Sequence, residues 1–175
     1  MKLSCTHENL MRTLSYLEWV VGRQSHLPIL SNILFEAEHG RLRLLATNLE
    51  IGVLAELGAK IEEEGKVALP AKLLVQFIQN LDPQEIISLY QQGNQVVIEN
   101  GKDKIQLNSV DSRDFPLIPE YSEEYPLSFS GASFSEALKK VAFSVSTNES
   151  RVELTGIFIS NSERGIHFTA TDSFR

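Results

Sequence analysis

The sequence predicts an α+β fold assembled from βαβββ units, with the helices on one side of antiparallel sheets. Three observations lead there. Leu10, Leu14, Leu17 and Val21 recur at the spacing of one helix face. Three β-rich runs follow that helix, punctuated by turn residues. The same order then begins again further along the chain.

Taken in order, Met1 to Cys5 reads as a short strand and residues 7 to 21 as an amphipathic helix. Past Gly22 and the turn around Pro28, strands are expected over Ser31 to Glu38, Arg41 to Thr47 and Glu50 to Leu57, with His39-Gly40 as a tight turn. A second unit opens with the strand Lys66 to Leu69. Its helix runs from Ala71 to Asn80, with Pro70 just ahead of the first turn, where a missing N–H costs nothing. Strands Ile86 to Gln91, Gln95 to Glu99 and Lys104 to Asn108 complete it, separated by the hairpin signals Gly93-Asn94 and Asn100-Gly101.

The stretch from Asp111 to Tyr125, with Pro116 and Pro119 inside it and Pro126 just beyond, reads as an interdomain linker. The expected division is a first domain over 1–115, a linker over 116–125 and a second domain starting at 126. That domain begins with a strand over Pro126 to Ser130 and a helix over Phe134 to Val145. Strands over Glu153 to Asn161 and Gly165 to Thr171 follow. An offset of 124 residues carries Leu14 onto Leu138, Val21 onto Val145, Leu30 onto Leu154, Ile33 onto Ile157 and Ala46-Thr47 onto Ala170-Thr171 without a gap. A period of that size implies a duplicated domain, of which 126–175 is the opening part.

Composition narrows the function classes. Sixteen basic residues against 23 acidic ones give a net charge of −7, so the chain as a whole does not grip nucleic acid electrostatically. The three helical stretches are nonetheless neutral or slightly basic, and the acidity sits outside them. Cys5 is the only cysteine, which excludes an intrachain disulfide and a thiolate zinc cluster. No apolar run is long enough for a membrane span, and a cytoplasmic protein is expected. The sequence lacks a G-x-S-x-G elbow, a P-loop, an H-E-x-x-H pair and a dinucleotide fingerprint, and its four histidines are scattered. No catalytic residue, metal or cofactor is expected.

Several short motifs fall in one collinear order. They are the opening Met-Lys-Leu, Gly22-Arg23 followed by Leu27-Pro28-Ile29-Leu30, Ala46-Thr47-Asn48-Leu49-Glu50, Leu69-Pro70-Ala71-Lys72 and Asp114-Phe115-Pro116. Ser150-Arg151, Leu154-Thr155-Gly156 and Ala170 to Arg175 continue the series. In that order they resemble the bacterial DNA polymerase III beta subunit, the sliding clamp, along nearly the whole chain. The resemblance implies a DNA-clamp fold with three similar domains per subunit. Two subunits then form a homodimeric, head-to-tail ring, with helices lining the hole and sheets outside. Such a ring gives the polymerase processivity by encircling double-stranded DNA without sequence preference. Its implied partners are the DNA polymerase III alpha subunit, the clamp loader and other proteins carrying a clamp-binding peptide.

Residue by residue, the resemblance and the helical placement nominate Arg12, Arg23, Lys72, Gln76, Lys139, Lys140, Asn148 and Arg151 for DNA contact. Scattered cations and amides suit a surface that must meet phosphates without stopping. Leu154, Thr171, Ser173, Phe174 and Arg175 match the partner-peptide pocket, with Ser173 and Phe174 standing where many members have Gly and His. Phe77, Leu81, Ile105 and Leu107 match the subunit interface, although Phe77 and Leu81 also have ordinary core spacing. On this reading the chain is a partial clamp whose third domain is absent, and it should bind partner peptides weakly. The alternative is a β-rich protein-interaction module without a DNA role.

Overall fold

The computed structural model describes residues 1–21, 27–118, 128, 130–163 and 165–175. It divides into two compact units, Met1–Glu120 and Tyr121–Arg175.

In the first unit β1 (Lys2–Thr6) leads directly into α1 (His7–Leu17). Thr6 caps that helix, its hydroxyl accepting from the Asn9 N–H at 3.4 Å. A 3-10 turn, Pro28–Ser31, precedes β2 (Asn32–Glu38), β3 (Arg41–Thr47) and β4 (Gly52–Leu57). His39 and Gly40 both take positive φ, 50° and 74°, the backbone sense that a two-residue hairpin between right-twisted strands requires. Then come β5 (Lys60–Glu63), β6 (Gly65–Pro70), α2 (Ala71–Ile78), β7 (Ile86–Gln92), β8 (Gln95–Asn100) and β9 (Asp103–Asn108).

Sequence expectation and structure differ here at β5, which periodicity did not reveal. Lys60–Glu63 is a short, charged edge strand, so it shows no apolar alternation, yet it pairs antiparallel with β1, Leu3 opposite Ile61. The sheets also combine the two βαβββ units in a way their order does not show. One sheet runs β4-β3-β2-β6 and the other β5-β1-β7-β8-β9. Each three-strand meander is therefore completed by the first strand of the other unit: Leu3 pairs with Leu89, and Leu69 pairs with Ile33.

The inner faces of both sheets and the apolar faces of both helices share one core. Leu10, Leu14 and Leu17 of α1 and Leu74 and Ile78 of α2 are fully buried against Phe35, Leu42, Leu44, Leu69, Ile87 and Ile98. The start of α1 meets the end of α2, where His7 Nε2 lies 2.8 Å from the Ile78 carbonyl oxygen. The outer faces carry paired charge. Arg43 Nε sits 3.0 Å from Glu56, Lys66 Nζ 3.0 Å from Glu36, and Lys104 Nζ 2.8 Å from Glu99. Phe115 covers part of one outer face, packing with Leu34, Leu45 and Ala68.

In the second unit Ser130 caps α3 (Gly131–Ala142), accepting from the Ser133 N–H. A kinked 3-10 stretch, Glu149–Leu154, leads to the antiparallel pair β10 (Phe158–Ser162) and β11 (Gly165–Thr169). Phe134 of α3 meets Phe168 of β11 edge to face at 5.6 Å. The offset of 124 residues carries His7, the start of α1, onto Gly131, the start of α3, and Arg41, the start of β3, onto Gly165, the start of β11.

The expected strand Glu153 to Asn161 is corrected: only its end, from Phe158, is extended. Upstream, local bonds compete with the ladder. Asn148 Oδ1 accepts from the Ser150 N–H at 2.9 Å, and the Val152 carbonyl accepts from both the Thr155 N–H and its hydroxyl. Most of the expected strand Pro126 to Ser130 and most of the 116–125 linker lie outside the described residues.

Candidate functional site

The exposed sides of the helices carry the nominated cations. On α1, Arg12 is exposed and donates to Asn9 Oδ1 at 3.4 Å. Lys72 and Gln76 are exposed on α2, which packs beside α1. Lys139 and Lys140 are exposed on α3, with Lys140 Nζ 2.8 Å from Glu136 one turn away. Arg12, Lys72 and Lys139 have no carboxylate within ion-pair distance among the described residues. Among the described residues each helix thus carries an unpaired cation, whereas the strands of the first unit hold theirs in pairs. Arg23 lies outside the described residues.

A concavity of about 620 Å³ opens in the second unit between the end of α3, the 3-10 stretch and the chain around Asp172. Leu154, Ser173, Phe174 and Arg175, expected at the partner pocket, line it together with Phe143. Thr171 is not among the lining residues, because its hydroxyl turns back to accept from the Ser173 N–H at 3.1 Å. Asn148 and Arg151, nominated for DNA, line the same concavity. The Arg151 guanidinium donates to Ser173 Oγ at 3.1 Å and to Glu153 at 3.1 Å, so it is committed within the site.

Asp172 organises the chain on one side of this concavity. Its carboxylate accepts from the N–H groups of Phe174 and Arg175, at 3.0 and 3.1 Å, and from Arg175 Nε at 3.0 Å. The bond from Phe174, followed by those from Arg175, pulls its pKa below the usual carboxylate range. The same turn holds Ser173 at φ 77°, a region that glycine enters freely and serine at a cost. Arg175 also stacks over the Phe143 ring, 5.8 Å from its centroid. Phe143 and Asp172 escaped the sequence assignment. Phe143 is exposed at the C-cap of α3, off the half-buried stripe of Phe134, Leu138 and Val141, and the only signal for Asp172 was an Asx followed by residues able to donate back to it.

The interface assignment is corrected in part. Leu81 and Leu107 are 6% and 4% exposed and belong to the core, where they pack with the apolar faces of helix and sheet. They cannot offer a surface to another subunit. Phe77 and Ile105 are half-buried against that core, and β9 is an edge strand.

Residues 1–119 match the family described as DNA polymerase III beta subunit, N-terminal domain, and residues 128–175 match the central domain of the same subunit. The chain belongs to the DNA polymerase III beta subunit family. Among curated beta-subunit relatives, the beta sliding clamp of Synechocystis sp. is 31% identical, aligned to all of this chain and 47% of its own length. That of Caulobacter vibrioides is 29% identical over all of this chain and 49% of its own. Among solved beta subunits, that of Streptococcus pyogenes superimposes with a TM-score of 0.91 at 27% identity, over 99% of this chain and 47% of its own. A sliding clamp from Bartonella birtlesii, solved bound to griselimycin, gives 0.90 at 28% identity over 99% and 47%. The chain therefore spans about half the length of the beta subunits it matches. Among its described residues, no helix is long and apolar enough to cross a membrane.

Proposed function

We propose that this chain supplies the first clamp domain, over 1–115, and the opening of the second, from 126, of a cytoplasmic sliding clamp. The complete subunit, of three such domains, pairs head to tail with a copy of itself to encircle double-stranded DNA. It performs no chemistry. The ring stays on by topology and raises the effective concentration of a tethered polymerase at its template. The observation that carries this reading is the in-order match to two consecutive beta-subunit domains.

The site geometry supports it in two ways. Unpaired Arg12, Lys72 and Lys139 suit sequence-independent phosphate contact, while the charge-paired outer strands give DNA little to hold. The concavity lined by Phe143, Leu154 and Phe174 suits a linear peptide with apolar and aromatic side chains, carried by the polymerase alpha subunit, the clamp loader and other partners. Phe77, Ile105 and the β9 edge are the candidates for subunit contact.

The test is retention of the complete, loader-assembled subunit on nicked circular DNA in moderate salt, before and after one cut linearises the circle. Loss upon cutting is expected. Equal, salt-sensitive retention on both forms would make this an ordinary DNA-binding protein.

A further inference from the structure

We propose that Tyr16 on α1 and Trp19 in the turn that follows it, with Arg12 one helical turn before Tyr16, form a stacking platform for the bases of single-stranded nucleic acid. The inference rests on the reading that this helix faces DNA, and it adds a preference for unpaired strands that phosphate contacts alone do not give.

Trp19 is 83% exposed and Tyr16 64% exposed. Neither ring is required by the core, since Leu10, Thr13, Leu14 and Leu17 already fill the buried stripe of α1. Among the described residues neither has an aromatic or cation–π partner. Arg12 and Tyr16 stand at i and i+4 on one stripe of α1, and Trp19 lies just past its end in a turn that the Val20 N–H fixes by bonding to the Leu17 carbonyl at 3.0 Å. Lys72 and Gln76 are exposed on the neighbouring helix, and the carboxylates along this stretch are Glu8 in the first turn of α1 and Glu18 at its C-cap. Two open π-faces beside cations that lack carboxylate partners fit an anionic polymer whose own π-faces are open. In a duplex those faces are covered by neighbouring base pairs, whereas in a single strand they are free to stack.

Trp19 is the only tryptophan, so its emission reports on this patch alone. The experiment titrates the 175-residue chain at low salt with fluorescently labelled oligothymidylate, and with a duplex of equal phosphate content. It follows Trp19 emission and label anisotropy together. The single strand is expected to quench Trp19, the duplex to leave it little changed, and Tyr16→Ala to weaken the single-strand affinity by on the order of tenfold. Both rings are exposed, so Tyr16→Ala should keep the circular dichroism melt of the parent. Binding seen by anisotropy without quenching, or quenching equal for the duplex, would overturn the platform while leaving the DNA reading intact. A concentration-dependent emission shift without nucleic acid would overturn it in favour of an apolar contact between copies. No binding to either strand form would also overturn it, and the clamp reading would still stand or fall on the cut-circle experiment.

Discussion

Arg151 donates through Nη1 to the Ser173 hydroxyl at 3.1 Å, joining two residues 22 positions apart that both line the concavity. An arginine nominated for phosphate contact is thereby part of the frame of the concavity proposed to take a peptide. Because both side chains are exposed, the bond is modest in energy and its value lies in geometry.

That frame is testable by a double-mutant cycle. In the complete subunit, Arg151→Ala and Ser173→Ala should each weaken binding of an apolar, aromatic peptide a few-fold. Their effects should fall short of additive by about 0.5 kcal/mol in a fluorescence titration. Strict additivity would mean that the two residues serve the site independently.

The division of α1 into a buried and an exposed stripe makes a stability prediction. Leu14→Ala removes a fully buried side chain between helix and sheets and should cost about 2–5 kcal/mol. Tyr16→Ala, two positions away on the exposed stripe, should cost less than about 0.5 kcal/mol. Urea unfolding of the two variants under identical conditions checks the contrast, and equal losses would contradict the burial described for this helix.

Cys5 provides a pH dependence. Burial pushes its thiol up to about 12, because the thiolate would lose its water inside the core. The folded state thus holds this proton more tightly than the unfolded chain. The thiol's contribution to stability is fully present below the unfolded pKa, ordinarily about 8.5, and is lost as pH rises from there towards the folded value. A thiol reagent at neutral pH should leave the native chain unmodified and label one site in denaturant. Cys5→Ser should flatten the alkaline loss of stability. Rapid native labelling would show that the first strand opens readily.

Legibility in the sequence followed the source of each signal. Leu10, Leu14 and Leu17 were readable because burial on one side of a helix imposes a period. The β2–β3 hairpin was readable because a two-residue connection demands residues tolerant of positive φ. The charged edge strand β5 was not, since an exposed edge leaves no apolar alternation. Nor was the exchange of first strands, which depends on pairings such as Leu3 with Leu89 that no local pattern records. Within the candidate site, Leu154 and Phe174 came through motif resemblance. Leu81 and Leu107 were misassigned because core packing and an apolar interface ask for the same residues. That Arg151 and Asn148, nominated for DNA, also line the concavity was not legible, because residue type does not record which surface a cation or amide serves.

The exchanged first strands also set a timetable for biosynthesis. Lys2 is synthesised well before its partner Tyr90 on β7, which follows both helices of the first unit and the entire first meander. Until then β1 has only the short strand β5 beside it, and the sheet it belongs to does not exist. The nascent chain must therefore carry an unfinished core until β7 and β8 emerge. That delay is the entropic cost of long-range pairing, and it leaves a chain released before β7 with β1 lacking its central partner.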